Sequence, residues 1–176
     1  MTEDYKRPSP CGIGAERIAV LAEQLATKLN FQPGSDLEPI IEHLGGEITV
    51  LPIDERGSKW ASITVEKGGK FTIKLPPLTF PLQQRMSMAH ELGHLFLHSR
   101  RGEIALKAYR NAGEEENELA ENEAHEFAYE FLVPSKSLRE VMEFFGDDTI
   151  GLAAHFMVPE PVIRQRLKRM VNAAKQ

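Results

Sequence analysis

Residues 90–98 read HELGHLFLH and lie within a stretch, from about residue 81 to 99, that has the periodicity of a helix. Two histidines separated by one helical turn lie one above the other, with Cβ atoms about 5–6 Å apart. Two imidazoles at that spacing can bind one metal ion, each through a nitrogen at about 2.0–2.1 Å. The spacing of His90 and His94 therefore predicts a metal site on a long helix.

Glu91 follows the first of these histidines and is rotated away from the ligand pair, so we predict that it does not bind the metal. Zinc lowers the pKa of a water that it binds to about 7, and a carboxylate can accept the proton during attack on a carbonyl. The pattern thus predicts hydrolysis with Glu91 as the general base. The alternative is that His90 and His94 are ordinary helix histidines near solvent. Their apolar neighbours weigh against it, because they indicate burial, and buried polar groups need partners. These neighbours are Met86, Met88, Ala89, Leu92, Leu95, Phe96 and Leu97.

Two further residues of this helix carry predictions. Glycine in a helix interior costs about 1 kcal/mol relative to alanine, so Gly93 predicts that another part of the chain approaches the backbone there. His98 continues the spacing, but an unbent helix carries it one turn beyond a metal held by His90 and His94. We therefore expect His98 to lie behind the ligands or in the core rather than on the metal.

A third ligand is expected from a second helix, over residues 115–132. On a helical wheel, Glu121 lies within about 60° of the centre of the apolar stripe, whereas Glu123 lies about 100° away. Glu118 and Glu126 lie at least as far from the stripe as Glu123 does. Glu121 is therefore the predicted third ligand, and the alternative is a solvated acidic face of which it is one member.

The composition describes an ordinary globular protein, with 176 residues, 41% of them hydrophobic and 27% charged. A formal charge of −5 argues against a surface devoted to nucleic acid or to anionic membranes. The single cysteine, Cys11, cannot form an internal disulfide, and no apolar run predicts a signal peptide or a membrane span. We therefore expect a cytoplasmic protein.

The rest of the pattern predicts an α+β fold. An amphipathic helix at 14–30 and a shorter helix precede a small, mostly antiparallel sheet of about three strands. The strands are expected at 47–51, 59–66 and 70–75. After the two long helices come three short ones, expected at 135–145, 149–156 and 160–174.

Residues 149–170 have the outline of a helix-turn-helix, with the turn at Val158-Pro159. The second helix carries basic residues of the kind that a DNA-binding protein places in the major groove. They are Arg164, Arg166, Lys168 and Arg169. The alternative is the solvated basic face of a helix that packs through its apolar side. One such unit in an acidic chain favours this alternative, so DNA binding is not expected.

HELGHLFLH, followed by ENEAHEFAYEFLVP at 121–134, resembles the ImmA/IrrE family of bacterial and phage metallopeptidases, over about residues 14–170. The resemblance implies a zincin-like fold that binds zinc, or manganese in its place. It also implies the roles of metal ligand for His90, His94 and Glu121, and of base for Glu91. Members of this family are known for cleaving or inactivating helix-turn-helix repressors.

One residue departs from the family pattern, namely His125, where many relatives carry Asn or Asp, and it is expected at the rim of the pocket. The predicted organisation is a metallopeptidase core over residues 14–134. A helical C-terminal subdomain over residues 135–174 is expected to pack with the core as one unit.

The predicted function is a zinc-dependent endopeptidase that cleaves a regulatory protein, with a helix-turn-helix repressor as partner and no role at a membrane. The substrate is expected to lie along an edge strand, formed by 59–66 or 70–75. The charged loop over 100–116 is expected to gate the site. The candidates for stabilising the transition state are Tyr109, His125, Tyr129 and His98. Two alternatives stay open: a DNA-binding or antitoxin-like regulator with a structural metal, and a non-catalytic protein-binding module.

Overall fold

The computed structural model describes residues 4–55, 57–110 and 117–175. The helices are α1 Gly14–Lys28, α2 Glu38–His43, α3 Pro81–Gly93, α4 Glu118–Leu132, α5 Ser135–Phe145, α6 Thr149–Phe156 and α7 Glu160–Ala173. The strands are β1 Gly46–Val50, β2 Trp60–Val65, β3 Phe71–Leu75 and β4 Leu106–Arg110. The fold is therefore mixed α+β, as the sequence predicts.

The sheet has four strands in the order β1-β3-β2-β4, so the prediction of three strands is wrong. β2 pairs antiparallel with β3 and with β4, while β1 runs parallel to β3. The fourth strand comes from the segment predicted as a charged loop over 100–116, of which 111–116 lie outside the described residues. Its buried residues, Leu106 and Ala108, alternate with the more exposed Lys107 and Tyr109, and the basic residues Lys107 and Arg110 conceal the strand pattern.

The outer strands of the sheet are β1 and β4. The prediction that the strand at 59–66 or the strand at 70–75 forms the edge is therefore wrong, since each has neighbours on both sides. The reason is β4, which adds to the free side of β2 and becomes the edge instead.

The N-terminal segment runs along the outer side of β4. The Lys6 N–H donates to the Ala105 carbonyl, and the Lys107 N–H donates to the Lys6 carbonyl, each at 2.9 Å. This makes one parallel bridge between Lys6 and Leu106. The next N–H of a parallel ladder would come from Pro8, and proline has none. Pairing of this type therefore ends after a single bridge.

Helix α4 packs against both α1 and α3 in the centre of the molecule. A Cβ atom added at Gly93 of α3 would lie 2.9 Å from the Ala124 Cα of α4, which is too close for any side chain. The prediction that the backbone is closely approached at Gly93 is confirmed. The missing side chain lets α3 and α4 approach each other at the level of the predicted site.

The long helix that begins at Pro81 is not regular to its end, contrary to the prediction of one helix to about residue 99. After Gly93 it widens into a π-helical turn over residues 94–98, in which the Ser99 N–H donates to the His94 carbonyl at 2.9 Å. A wider turn rotates the chain less per residue. His98 still lies one turn beyond His94 on the same face, as residues four apart do in an α-helix as well.

The C-terminal helices contribute to the same hydrophobic core as the sheet and α4. Leu152 and Phe156 of α6 and Ile163 of α7 are fully buried in it. The division of the chain after residue 134 stays a prediction. Of the helices in the described ranges, none combines the length and apolar character needed to cross a membrane.

Candidate metal centre

Two helices bring the predicted ligands together. His90 lies in the last turn of α3 and His94 begins the π-helical turn, while Glu121 lies in the first turn of α4. That first turn is held by Asn117, whose side-chain oxygen accepts from the N–H groups of Leu119 and Ala120 at 3.1 and 3.3 Å. The cap satisfies backbone donors at the start of α4, and so fixes the turn that carries Glu121.

The three side chains converge on one point. Nε2 of His90 lies 3.2 Å from Nε2 of His94 and 3.0 Å from Oε2 of Glu121, and His94 Nε2 lies 3.2 Å from Glu121 Oε1. Donors bound to one tetrahedral ion at about 2.0–2.1 Å are separated from each other by about 3.3 Å. The observed distances fall within a few tenths of an ångström of that value, so the group fits one small divalent ion.

The protonation states also suit a metal. Burial lowers the pKa of His90 to about 3, so its ring is neutral and carries a free electron pair. Burial alone would raise the pKa of Glu121, but hydrogen bonds to His90 and His94 outweigh it and hold the pKa below its usual value. Two neutral imidazoles and one carboxylate are a common ligand set of catalytic zinc. The chemistry of these donors agrees with their geometry.

Glu91 is buried beside this group, with only 1% of its surface exposed. Its Oε2 atom has no hydrogen-bond partner among the described residues, and its Oε1 atom lies 3.4 Å from Nη2 of Arg110. Burial raises the pKa of Glu91, and the positive charge of Arg110 opposes that shift. A carboxylate whose pKa is raised toward neutrality is a better proton acceptor than an exposed one.

A cavity of about 330 Å³ opens over these residues. It is lined by Ser62, His90, Glu91, Tyr109, Arg110, Glu121 and His125. The sequence did not point to Ser62 or Arg110. A serine inside an alternating strand is common, and an arginine in a charged segment is usually exposed to solvent. Arg110 could have been found only by recognising β4 as a strand, because β4 carries Arg110 to the cavity.

The other predicted residues have different positions. Tyr109 and His125 line the cavity, and the His125 ring lies 4.3 Å from the His90 ring, at an exposed rim. Tyr129 is farther away, with its ring 6.5 Å from that of His125 and outside the cavity wall. His98 contacts the far side of His94, with the two Nδ1 atoms 2.9 Å apart. Of the four residues predicted near the site, Tyr109 and His125 therefore lie beside the metal ligands, and His98 lies behind His94.

Histidines one turn apart, a glutamate from the next helix and a buried carboxylate beside them define the arrangement found in metallopeptidases with an HExxH motif. The chain belongs to the Peptidase_M78 family, because the model of its IrrE N-terminal-like domain matches residues 42–168. This match confirms the resemblance to the ImmA/IrrE family, and membership in a metallopeptidase family agrees with a metal site.

A solved structure with a similar fold is that of a Mycobacterium tuberculosis transcriptional regulator, with a TM-score of 0.58 and 15% sequence identity over 86% of this chain. This chain spans 46% of the length of that regulator. At this level of identity the likeness shows the fold alone. The comparison with curated proteins found no match.

Proposed function

We propose that this chain is a zinc-dependent endopeptidase with a zincin-like active site. The observation that carries the proposal is the convergence of His90, His94 and Glu121 on one point beside the buried carboxylate of Glu91. A purely structural metal site is usually closed by four protein ligands, whereas a catalytic site keeps a position open. Here three side chains converge below an open cavity, which supports catalysis over a structural role.

Zinc, or manganese in its place, would be held by His90, His94 and Glu121, and when bound it supplies Lewis acidity. Glu91 accepts the proton of the attacking water and returns it to the nitrogen of the leaving amine. Arg110, whose Nη2 lies 3.4 Å from Oε1 of Glu91, opposes the rise in the pKa of that carboxyl and so favours its ionised form. Tyr109 and His125 line the same cavity and are the candidates for donating a hydrogen bond to the developing oxyanion.

The metal assignment is tested with two variants on one helix. Glu121→Ala is expected to lose zinc, because it removes a ligand, whereas Glu126→Ala is expected to retain it, since Glu126 pairs with Arg169 away from the site. Zinc content of the dialysed proteins, measured by atomic emission, decides the matter. Full zinc content in Glu121→Ala would show that the third ligand is another residue.

The substrate is proposed to be a protein segment that adds as a strand to the edge of the sheet. β4 is the outer strand whose last residues, Tyr109 and Arg110, line the cavity. Lys6 occupies the outer side of β4 at Leu106, so an extended peptide would form backbone hydrogen bonds with the last residues of β4, beyond that bridge, and pass over the site. Membership in a family whose members are known for cleaving or inactivating helix-turn-helix repressors supports a substrate in gene control. We propose a helix-turn-helix repressor.

The test of this function asks first whether a helix-turn-helix repressor gene adjoins the gene of this protein, and then whether the protein cleaves that repressor. The pure protein, loaded with zinc, is expected to release one discrete repressor fragment detectable by mass spectrometry. Glu91→Gln, loaded equally, is expected to release none. Loss of repressor activity without any cleavage, and equally in Glu91→Gln, would instead support a non-catalytic protein-binding module.

The alternative of a DNA-binding regulator has less support. Arg166 of α7 is 2% exposed and pairs with Glu130, while Arg169 pairs with Glu126. Arg166 is thus buried and Arg169 is held in an ion pair, so of the four basic residues only Arg164 and Lys168 are fully on the surface. The ion pairs of Arg166 and Arg169 support the expectation that α6 and α7 do not bind DNA.

A further inference from the structure

A row of hydrogen bonds leads away from the candidate metal centre. Nδ1 of His94 lies 2.9 Å from Nδ1 of His98, and Nε2 of His98 lies 3.0 Å from Oε2 of Glu123. The carboxylate of Glu123 also accepts from the N–H groups of Cys11 and Gly12, both at 2.8 Å. The row therefore joins a predicted ligand to the N-terminal segment through side chains that are mostly buried.

The protons in this row can be assigned if the proposed metal site is correct, on which this inference rests. A neutral His94 that offers Nε2 to a metal must carry its hydrogen on Nδ1. That hydrogen points at Nδ1 of His98, which must then be an acceptor. His98 consequently carries its own hydrogen on Nε2 and donates it to Glu123. One arrangement of tautomers thus satisfies each contact in the row.

The row begins within the π-helical turn over residues 94–98. Residues four apart are neighbours on a regular α-helix as well, so His94 and His98 share a face in either geometry. Within the wider turn the centroids of the two rings lie 5.0 Å apart. Widened turns of this kind are frequent at functional sites.

We propose that His98 and Glu123 are positioning residues, which hold the His94 ring in the orientation and tautomer that present Nε2 to the metal. Glu123 is held in turn by the backbone at Cys11 and Gly12, so the N-terminal segment supports the site from behind. Groups that orient metal ligands in this way affect metal affinity nearly as directly as the ligands do.

A different use of the same side chains must be weighed. The Cys11 sulfur, a His98 nitrogen and a Glu123 oxygen lie within 4.8 Å of one another and could hold a second metal ion. A metal on Nε2 of His98 would move the ring hydrogen to Nδ1, where it would face the Nδ1–H of His94 across 2.9 Å. With both rings neutral, His94 and His98 cannot each bind a metal through Nε2 at the same time. The positioning role therefore predicts one ion per chain.

The experiment measures zinc affinity by competition with a chelator in four full-length variants. Glu123→Gln and His98→Phe are expected to weaken zinc binding by about 10–100-fold. His98→Asn is expected to recover much of the affinity, because the amide oxygen of asparagine can accept from His94 near the former Nδ1 position. Glu126→Gln, on the same helix but paired with Arg169, is the control and is expected to bind like the wild type.

Two further readouts separate positioning from a general loss of structure. Cobalt in place of zinc is expected to show an altered visible spectrum in His98→Phe and Glu123→Gln, since the ligand field reports the orientation of His94. The thermal melting of the metal-free variants shows whether the fold is intact. A variant that melts like the wild type, yet binds zinc more weakly and has a changed cobalt spectrum, supports the proposal.

The outcomes that overturn the proposal are distinct. Unchanged zinc affinity and cobalt spectra in His98→Phe and Glu123→Gln would remove the positioning role and leave the proposed function standing. A wild type that binds two ions, reduced to one in Cys11→Ala, would show that the cluster is a second metal site. A folded wild type that binds no zinc would refute the proposed function, and the inference with it.

Discussion

A buried carboxylate lies near each end of helix α4, Glu130 of α4 itself and Glu91 of α3, and their surroundings differ. Near its C-terminal end, Glu130 pairs with Arg166, whose remaining donors bind the Val133 carbonyl at 3.0 Å and the Ser135 hydroxyl at 2.9 Å. Near its N-terminal end lies the candidate metal centre, where Oε2 of Glu91 and Nδ1 of His90 have no hydrogen-bond partner among the described residues.

The difference separates two uses of buried charge. Each nitrogen of the Arg166 guanidinium is matched by a protein acceptor to which it donates, as is normal for a charge that serves the structure. Oε2 of Glu91, by contrast, belongs to a residue that lines the cavity, where water or a bound substrate can offset its desolvation cost. An unmatched carboxylate oxygen beside a cavity therefore indicates a place where the molecule can bind something. The predictions below test whether these two regions can be disturbed separately.

The largest effect is expected from Glu91→Gln. Because it removes the proposed base, this change should lower repressor cleavage by about 10²–10⁴-fold while zinc content and melting temperature stay close to those of the wild type. Glu130→Gln makes the same chemical change in the matched region and should retain cleavage below its melting temperature. If Glu91→Gln were as active as the wild type, Glu91 would have no part in the chemistry.

The next effect concerns stability rather than activity. Arg166→Met leaves Glu130 buried without its partner, so the free energy of unfolding is expected to fall by about 3–5 kcal/mol. The double variant Arg166→Met, Glu130→Leu should recover most of that loss, because it removes both charges. Urea unfolding measures both. Equal destabilisation of the single and double variants would show that packing, not charge, sets the cost.

A smaller effect is expected where α3 and α4 approach each other. Gly93→Ala places a Cβ atom 2.9 Å from the Ala124 Cα, and overpacking of this kind typically costs about 1–3 kcal/mol. The same change should weaken zinc binding, because it moves the helix of His94 away from that of Glu121. Gly57→Ala, where an added Cβ meets nothing within 4 Å, is the matched control. Unchanged zinc affinity in Gly93→Ala would show that helix spacing does not limit the site.

The smallest expected effect is the pH dependence of the matched region. Burial raises the pKa of Glu130 in the folded protein above its unfolded value, although Arg166 opposes the shift. The folded state then binds this proton more tightly, so its contribution to stability is present at low pH and is lost as pH rises through the folded pKa. The stability deficit of Arg166→Met should therefore shrink as pH falls. A deficit that grew on acidification would contradict this assignment.

The parts of the site that lie within single helices could be predicted from the sequence. The proximity of His90 and His94 follows from helical spacing, and the inward direction of Glu121 follows from the apolar stripe of α4. The close approach at Gly93 follows from the cost of glycine in a helix. In each case the periodicity of one element is sufficient, since it requires no knowledge of what packs against it.

Other parts depend on tertiary contacts and could not be predicted. β4 is short and partly basic, and it becomes a strand only because β2 offers a free edge. Glu123 lies off the apolar stripe of α4, but the N-terminal segment covers it with two N–H groups. The widened turn after Gly93 left no signal in the sequence.

The path of the N-terminal segment has a practical consequence for handling the protein. Lys6 is bound to the edge of β4, and Cys11 and Gly12 are bound to Glu123, so any fusion partner at this end is tethered close to the cleft. The last described residues after α7 are exposed, and a purification handle placed there leaves these contacts intact. Preparations tagged at opposite ends would therefore differ in how freely a large substrate reaches the cavity.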